Sequence, residues 1–153
     1  MRKAPDFKAP DKDGKMHTLA DYAGSWLVVY FYPRDDTPGC TVEACEFRDS
    51  YERLQAHGIN VLGVSRDTAK SHANFAQKHA LPFPLLSDPD HVMIDAFGAW
   101  GEKKFMGKIF DGIMRKTYII DPQGMIVHEF ETVSPKGHAS QVYDVITELM
   151  KKG

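Results

Sequence analysis

The sequence predicts an α/β fold with a mixed central β-sheet flanked by helices, and three observations lead to this prediction. Apolar runs rich in β-branched and aromatic residues, at 26–32 and 59–64, alternate with longer stretches of helical period. Two extended segments farther along the chain flank a Pro-Gln-Gly turn at 122–124, a pattern typical of a β-hairpin. Alternating strands and helices favour parallel pairing, whereas a hairpin pairs antiparallel, so the sheet is expected to be mixed.

The first half of the chain supplies the alternating strands and helices. In order, we predict a turn-rich segment at 11–25 with a hairpin turn at Asp13-Gly14, a buried strand at 26–32, a helix at about 38–57, a second buried strand at 59–64, and a second helix at 67–80. Pro33 ends the first strand, and Gly58 provides the stop after the first helix.

The second half is predicted to complete the sheet and to end in a helix. Two prolines restrict residues 81–86 to a short or edge strand, and residues 90–97 are expected to form a short helix. Residues 98–112 are a connection rich in Gly and Lys, for which no form is predicted. Segments 116–121 and 125–131 form the hairpin, and 139–152 is the closing amphipathic helix. This order predicts a thioredoxin-like fold, with residues 1–153 in a single domain.

The composition is that of an ordinary globular protein and argues against several other classes. Of the 153 residues, 42% are hydrophobic and 26% are charged, which excludes a wholly disordered chain, a coiled coil and a collagen-like fibre. Lys and Arg number 19 against 21 Asp and Glu, so a net charge of −2 predicts no nucleic-acid partner. The longest apolar run, at 26–32, is too short to span a bilayer, and no apolar signal region follows the N-terminus. We therefore expect no membrane partner and a cytoplasmic location.

The two cysteines, Cys40 and Cys45, are the most chemically informative residues of the sequence. Cys40 falls in the first turn of a predicted helix, just beyond the carboxyl end of a strand, where α/β sheets place their sites. Unpaired amides and the helix dipole favour a thiolate there. A thiolate alone is not a fast catalyst, because nucleophilicity falls as basicity falls. Donors aimed at the developing charge are also required, and Thr37, the helix-start amides and three arginines are the candidates: Arg34, Arg48 and Arg115.

The spacing of the cysteines limits how they can react with each other. Five residues along a helix place two Cα atoms about 8.6 Å apart, on nearly opposite faces. A disulfide requires Cα atoms within roughly 7 Å and facing side chains. A bond between Cys40 and Cys45 therefore requires the start of the helix to unwind.

The segment around Cys40 resembles the active site of a known family. The spacing Pro33-x3-Thr37-x2-Cys40 resembles the peroxiredoxin motif, and its surroundings, with Cys45, are similar to the bacterioferritin comigratory protein or Q-type branch. Arg115 and the strand after it resemble that branch's arginine strand. The resemblance implies a peroxidatic Cys40, a resolving Cys45, a Thr37 and Arg115 that hold and polarise the peroxide, and a Pro33 that shields Cys40.

The resemblance also implies an activity and partners. The expected function is a thiol peroxidase that reduces hydrogen peroxide and organic hydroperoxides through a sulfenic acid and a Cys40–Cys45 disulfide. Thioredoxin or a similar dithiol would recycle the disulfide, the chain would be a monomer, and neither a metal nor an organic cofactor would be needed.

Each of these residues also has a purely structural interpretation. Cys40 could be an inert buried thiol, and Cys45 could be a small apolar residue that faces the core of an intact helix. Thr37 is an ordinary N-cap, Pro33 can simply end a strand, and Arg115 could be a solvated cation.

Two other functions and a metal site are alternatives to the peroxidase. The main alternative function is a protein thiol–disulfide oxidoreductase, although that chemistry usually has Cys-x-x-Cys spacing, and a binding module is a third. Seven histidines raise the question of a metal site, but His72 and His79 lie seven residues apart, which is not the spacing of paired ligands.

Overall fold

The computed structural model describes residues 2–152, which form a layered α/β structure. The strands of this part of the chain are β1 (Arg2–Lys3), β2 (Lys8–Pro10), β3 (Met16–Thr18), β4 (Trp26–Phe31), β5 (Ile59–Ser65), β6 (Leu85–Ser87), β7 (Trp100–Phe105), β8 (Lys108–Ile113), β9 (Lys116–Ile120) and β10 (Met125–Phe130). The helices are α1 (Pro38–Ala56), α2 (Ala69–His79), α3 (Val92–Phe97) and α4 (His138–Lys152), and a short 3₁₀ turn covers Leu19–Tyr22.

The central sheet is mixed, as the sequence predicts. Its strand order is β1-β10-β9-β4-β5-β6. Strands β4, β5 and β6 run parallel, while β9 pairs antiparallel with both β4 and β10, and β10 with β1. This arrangement confirms the predicted fold class, a mixed sheet flanked by helices.

Strand β4 lies in the middle of the sheet and separates two apolar layers. Successive side chains of a strand point to opposite faces, so Val28 and Tyr30 join the layer that contains Phe47 of α1. Val29 and Phe31 join the other layer, together with residues of α3. Because both faces are covered, the side chains of β4 are aliphatic or aromatic, and charged residues begin only beyond its carboxyl end.

The structure differs from the predicted elements mainly at residues 98–112. This stretch forms the antiparallel hairpin of β7 and β8, turning at Met106 and Gly107, both with positive φ. Apolar side chains at its tip are exposed, and no alternation of buried and polar residues marks the strands in the sequence. The remaining predicted elements are present with ends shifted by a few residues, and β6 lies at the sheet edge. Among residues 2–152, no helix is long and apolar enough to cross a bilayer.

Candidate active site

Cys40 lies in the first turn of α1, directly beyond the carboxyl end of β4. The backbone of Thr37 is extended, and Pro38 occupies the first helical position, where its missing N–H costs no hydrogen bond. The amide of Thr41 donates to the carbonyl of Thr37 at 2.8 Å, which closes the first turn. The Cys40 side chain points inward, and the residue is only 1% exposed.

Arg115 is brought to this sulfur by the register of the sheet. Strand β9 pairs antiparallel with β4 so that Lys116 lies opposite Phe31, the last residue of β4. Arg115 directly precedes Lys116 and therefore reaches the segment that follows β4. Its Nη2 donates to Sγ of Cys40 at 3.1 Å. The predicted pairing of Cys40 with one of the three candidate arginines is thus present in the structure.

A buried carboxylate, Glu43, shares the guanidinium with the sulfur. Nη1 of Arg115 donates to Oε1 of Glu43 at 2.6 Å, and the Glu43 side chain has no exposed surface. Burial raises the pKa of Glu43 to about 7, although Arg115 acts to lower it. Burial alone would lower the pKa of Arg115, but the charges of Glu43 and Cys40 raise it above its ordinary value.

Two polar atoms beside Cys40 have no protein partner among residues 2–152. They are Oε2 of Glu43 and the hydroxyl of Tyr30, and both are buried. The Tyr30 ring stacks on Phe47 of α1 at a centroid distance of 4.8 Å. Burial, followed by the negative charges of Glu43 and Cys40, raises the Tyr30 pKa well above its ordinary value, so the hydroxyl stays neutral. We call Tyr30, Cys40, Glu43 and Arg115 the reactive cluster.

Thr37 precedes α1 as predicted, but its hydroxyl does not cap the helix. It donates to the carbonyl of Arg34 at 2.9 Å, within a tight turn in which Asp36 has a φ of 60°. The structural interpretation of Thr37 as a side-chain N-cap is therefore wrong, since its hydroxyl is bonded to the Arg34 carbonyl instead. In the described part of the chain, Thr37 forms no hydrogen bond with Cys40.

Pro33 lines a cleft on the hairpin side of the site. The cleft has a volume of about 280 Å³ and is also lined by Arg34, Trp100, Lys103 and Phe110. The Nζ of Lys103 donates to the carbonyl of Ile113 at 2.8 Å. Burial lowers the pKa of Lys103, Arg115 lowers it further, and Cys40 acts to raise it, so this lysine interacts electrostatically with the reactive cluster.

Cys45 lies on the same continuous helix as Cys40 and is half-buried. Both cysteines are free thiols. Because α1 is intact from Pro38 to Ala56, the geometric limit derived above applies to this state of the protein.

A second polar network at the loop after β4 is not predictable from the sequence. Nδ1 of His72 lies 2.7 Å from Oδ2 of Asp35, and both side chains are buried. One oxygen or nitrogen of each of Asp35, Asp67 and His72 lies within 4.8 Å of the others, a spacing that could suit a metal ion. These atoms form hydrogen bonds within the protein instead, and His72 and Asp35 lie 37 residues apart, so no local spacing signals the contact.

Comparison with known proteins identifies the family. Residues 1–129 match the AhpC/TSA family. The chain belongs to this family. Peroxiredoxin Bcp of Escherichia coli K12 is 45% identical over 149 residues, which cover 97% of this chain and 93% of that protein.

Solved structures agree with this assignment. Peroxiredoxin Q of Xanthomonas campestris has a TM-score of 0.88 at 40% identity, covering 93% of this chain and 90% of that one. A second Xanthomonas campestris structure, with the same TM-score and coverages at 39% identity, is described as a bacterioferritin comigratory protein with alkyl peroxide reduction activity. The chain is therefore a peroxiredoxin of the Bcp or Q type and a thiol peroxidase, which confirms the family resemblance. A peroxide substrate and a reductant partner follow from this membership.

Proposed function

We propose that this peroxiredoxin reduces hydrogen peroxide and alkyl hydroperoxides with Cys40 as the attacking thiolate. The observation that carries the proposal is the 3.1 Å contact between Nη2 of Arg115 and Sγ of Cys40. A charge-assisted donor at this distance stabilises the thiolate. The fixed guanidinium also remains in place for the negative charge that develops on the peroxide oxygens.

In the first step, the Cys40 thiolate attacks the terminal oxygen of the hydroperoxide. An S–O bond forms to the terminal oxygen, and the O–O bond breaks. The electron pair of the O–O bond leaves with the other peroxide oxygen, which carries the alkyl group or hydrogen. That oxygen takes up a proton and departs as an alcohol or as water, while the oxidised sulfur becomes a sulfenic acid. The sulfur loses two electrons and the peroxide gains them, so the step needs no metal or organic cofactor.

Thr37 and Pro33 are proposed to shape the peroxide site around this step. The Thr37 hydroxyl donates its hydrogen bond to the carbonyl of Arg34. Its oxygen lone pairs therefore remain available to accept a hydrogen bond from the O–H of a hydroperoxide. Pro33, half-buried at the edge of the cleft, shields the sulfur from bulk water.

In the second step, the thiol of Cys45 attacks the sulfenic sulfur. The S–S bond forms, the hydroxyl leaves, and it departs as water with the proton of the attacking thiol. The start of α1 must unwind for the two sulfurs to meet. Burial of Glu43 assists this motion, because an ionised carboxylate with one unpartnered oxygen regains water when the helix start opens.

A dithiol reductant, which we propose to be thioredoxin or a protein like it, then returns the enzyme to its starting state. Its thiolate attacks one sulfur of the Cys40–Cys45 disulfide, which releases the other cysteine and forms a mixed disulfide. Its second thiol then attacks the mixed disulfide, which releases the remaining cysteine and leaves the reductant oxidised to a disulfide. The chain is proposed to act as a monomer.

The test is a reaction of the reduced protein with one equivalent of hydrogen peroxide. We expect both thiols to disappear and the mass to fall by about 2 Da, as a disulfide requires. Cys40→Ser should leave the peroxide unconsumed, whereas Cys45→Ser should consume one equivalent and then stall or over-oxidise. A protein that is oxidised by disulfides but not by peroxide would instead be a protein thiol–disulfide oxidoreductase.

A further inference from the structure

A buried network of hydrogen bonds holds the loop between β4 and α1. Both carboxylate oxygens of Asp35 are used in it. Oδ1 accepts from the Tyr32 hydroxyl at 2.6 Å, and Oδ2 accepts from Oγ of Ser71 at 2.8 Å and faces Nδ1 of His72 at 2.7 Å. We call Tyr32, Asp35, Asp67, Ser71 and His72 the anchor cluster.

His72 has an acceptor at each of its ring nitrogens. Nε2 lies 3.0 Å from the carbonyl of Leu86 in β6, so it carries a hydrogen and donates. Nδ1 lies against the Asp35 carboxylate, and a proton must also occupy this contact. The Asp35–His72 contact is therefore a hydrogen bond, and neither side chain is open to water.

Hydrogen bonds hold the backbone of the loop as well as its side chains. The amide of Asp35 donates to Oδ2 of Asp67 at 2.8 Å, and this carboxylate oxygen also accepts from Oγ of Ser65 at 2.6 Å. At the next residue, Nζ of Lys78 in α2 lies 2.9 Å from the carboxylate of Asp36. The loop is thus held at Asp35 and Asp36, just before the first turn of α1.

Helix α2 also holds α1 a little farther along the chain. Nη1 of Arg48 donates to the carbonyl of His79, the last residue of α2, at 2.8 Å. The preceding residue, Phe47, is fully buried against the sheet. Residues 37–47, which contain Cys40 and Cys45, therefore lie between two attachments to the same helix.

We propose that Asp35 and His72 are positioning residues that keep the amino-terminal boundary of the reactive segment fixed while the start of α1 unwinds. The proposal rests on the peroxidase mechanism given above. With the boundary fixed, Pro33 and Thr37 keep their places when the helix re-forms, and only residues 38–47 exchange between helix and disulfide-bonded loop. Arg48 sets the opposite boundary.

Amide exchange in the reduced and oxidised wild-type protein tests the boundary directly. Oxidation should speed exchange across residues 38–47, because the helix hydrogen bonds of that segment open. The Asp35 amide, bound to Asp67, should stay protected in both states. Equal exchange of Asp35 and the Cys40 segment in the oxidised protein would overturn the proposal.

Variants of the anchor cluster test its effect on chemistry, with each step followed separately by stopped-flow fluorescence and normalised to titrated thiols. Asp35→Asn keeps the shape and removes the charge. We expect it to slow the peroxide step by about tenfold, less than the roughly hundredfold that a 1 Å misplacement can cause. It should speed disulfide formation, because unwinding is no longer confined.

Ser71→Ala provides a milder variant in case Asp35→Asn does not fold. It removes one hydrogen-bond donor to Asp35 and leaves the His72 contact in place. We therefore expect a smaller decrease in the rate of the peroxide step and a smaller increase in the rate of disulfide formation. The matched control is Lys70→Ala, at an exposed position of the same helix, which should change neither rate.

The outcomes separate this inference from the mechanism on which it rests. A merely structural role for Asp35 would lower the melting temperature but leave both rate constants per active thiol unchanged, and that result would refute the inference. If the wild-type protein itself fails to react with peroxide, the proposed function fails instead.

Discussion

The two buried polar clusters beside the end of β4 differ in how completely their atoms are hydrogen-bonded. In the anchor cluster, both carboxylate oxygens of Asp35 and both ring nitrogens of His72 have partners. In the reactive cluster, Oε2 of Glu43 and the Tyr30 hydroxyl have no hydrogen-bond partner among the described residues 2–152. A buried network in which every polar group has a partner favours a single arrangement, because motion breaks several hydrogen bonds at once.

The incomplete cluster is the one that the mechanism requires to move. Unwinding the start of α1 breaks the contacts of Arg115 with Cys40 and Glu43, but it returns an incompletely bonded carboxylate to water. The same motion at Asp35 would expose nothing that lacks a partner. The contrast suggests that the completeness of hydrogen bonding, rather than burial, decides which half of the loop is fixed.

The largest effect is expected from removing the guanidinium of the reactive cluster. Arg115→Met should lower the rate constant for peroxide by about 10²–10³, the loss typical of one preorganised transition-state donor. Arg115→Lys keeps the charge without the two-pronged geometry and should recover only part of the rate. Stopped-flow oxidation of Cys40 measures both, and a rate unchanged in Arg115→Met would contradict the assignment.

The second effect is a loss of unfolding free energy, which should be larger for a substitution in the anchor cluster than for one in the reactive cluster. His72→Ala leaves the buried Asp35 carboxylate without one of its hydrogen-bond partners, which typically costs about 1–3 kcal/mol and more for a charged group. Glu43→Gln should cost much less, because the carboxylate it replaces is already incompletely bonded. Urea unfolding of the reduced proteins measures the two changes, and the reverse order would break the comparison.

The third effect is a pH dependence of stability that arises from Glu43. Its folded-state pKa of about 7 lies above the ordinary value of 4.5, so between these values the folded protein holds a proton that the unfolded chain has released. The contribution of Glu43 to the free energy of unfolding is therefore complete below pH 4.5. It declines as the pH rises through 7, by at most about 3 kcal/mol at 1.36 kcal/mol per pKa unit.

The difference between wild type and Glu43→Gln isolates this contribution. Burial lowers the pKa of His138, which gives stability the opposite pH dependence in the wild type, but this effect is common to both proteins and cancels. Unfolding free energies at pH 5 and pH 8 should show the wild-type advantage shrinking at the higher pH. A difference that does not vary with pH would contradict the raised pKa.

The smallest effect is expected at the edge of the anchor cluster. Lys78 and Asp36 form an ion pair in which both side chains are about half exposed or more. Solvent and salt screen such pairs, so Lys78→Ala should barely change the urea midpoint at low salt and leave it unchanged at high salt. A loss comparable to that of His72→Ala would mean that the exposed contact, rather than the buried one, holds the loop.

Much of the fold could be predicted because its signals are local. The apolar run that becomes β4 and the helical spacing that becomes α1 are each contained in a short window. The hairpin of β7 and β8 could not be predicted, because its strands are exposed and carry no alternating pattern. The place of Cys40 after a strand marks it as a site residue in the sequence itself, whereas only the family resemblance distinguishes Arg115 from the other two arginines.

The sequence by itself determined the alternation of strands and helices, the place of Cys40 at a helix start and the need for that helix to unwind, because these follow from periodicity and helix geometry. The tertiary structure alone decided which polar groups meet. Arg115 reaches Cys40 across 75 residues and His72 reaches Asp35 across 37. Such contacts depend on strand register and helix docking, which place distant residues together with angstrom accuracy and leave no periodic trace in the chain.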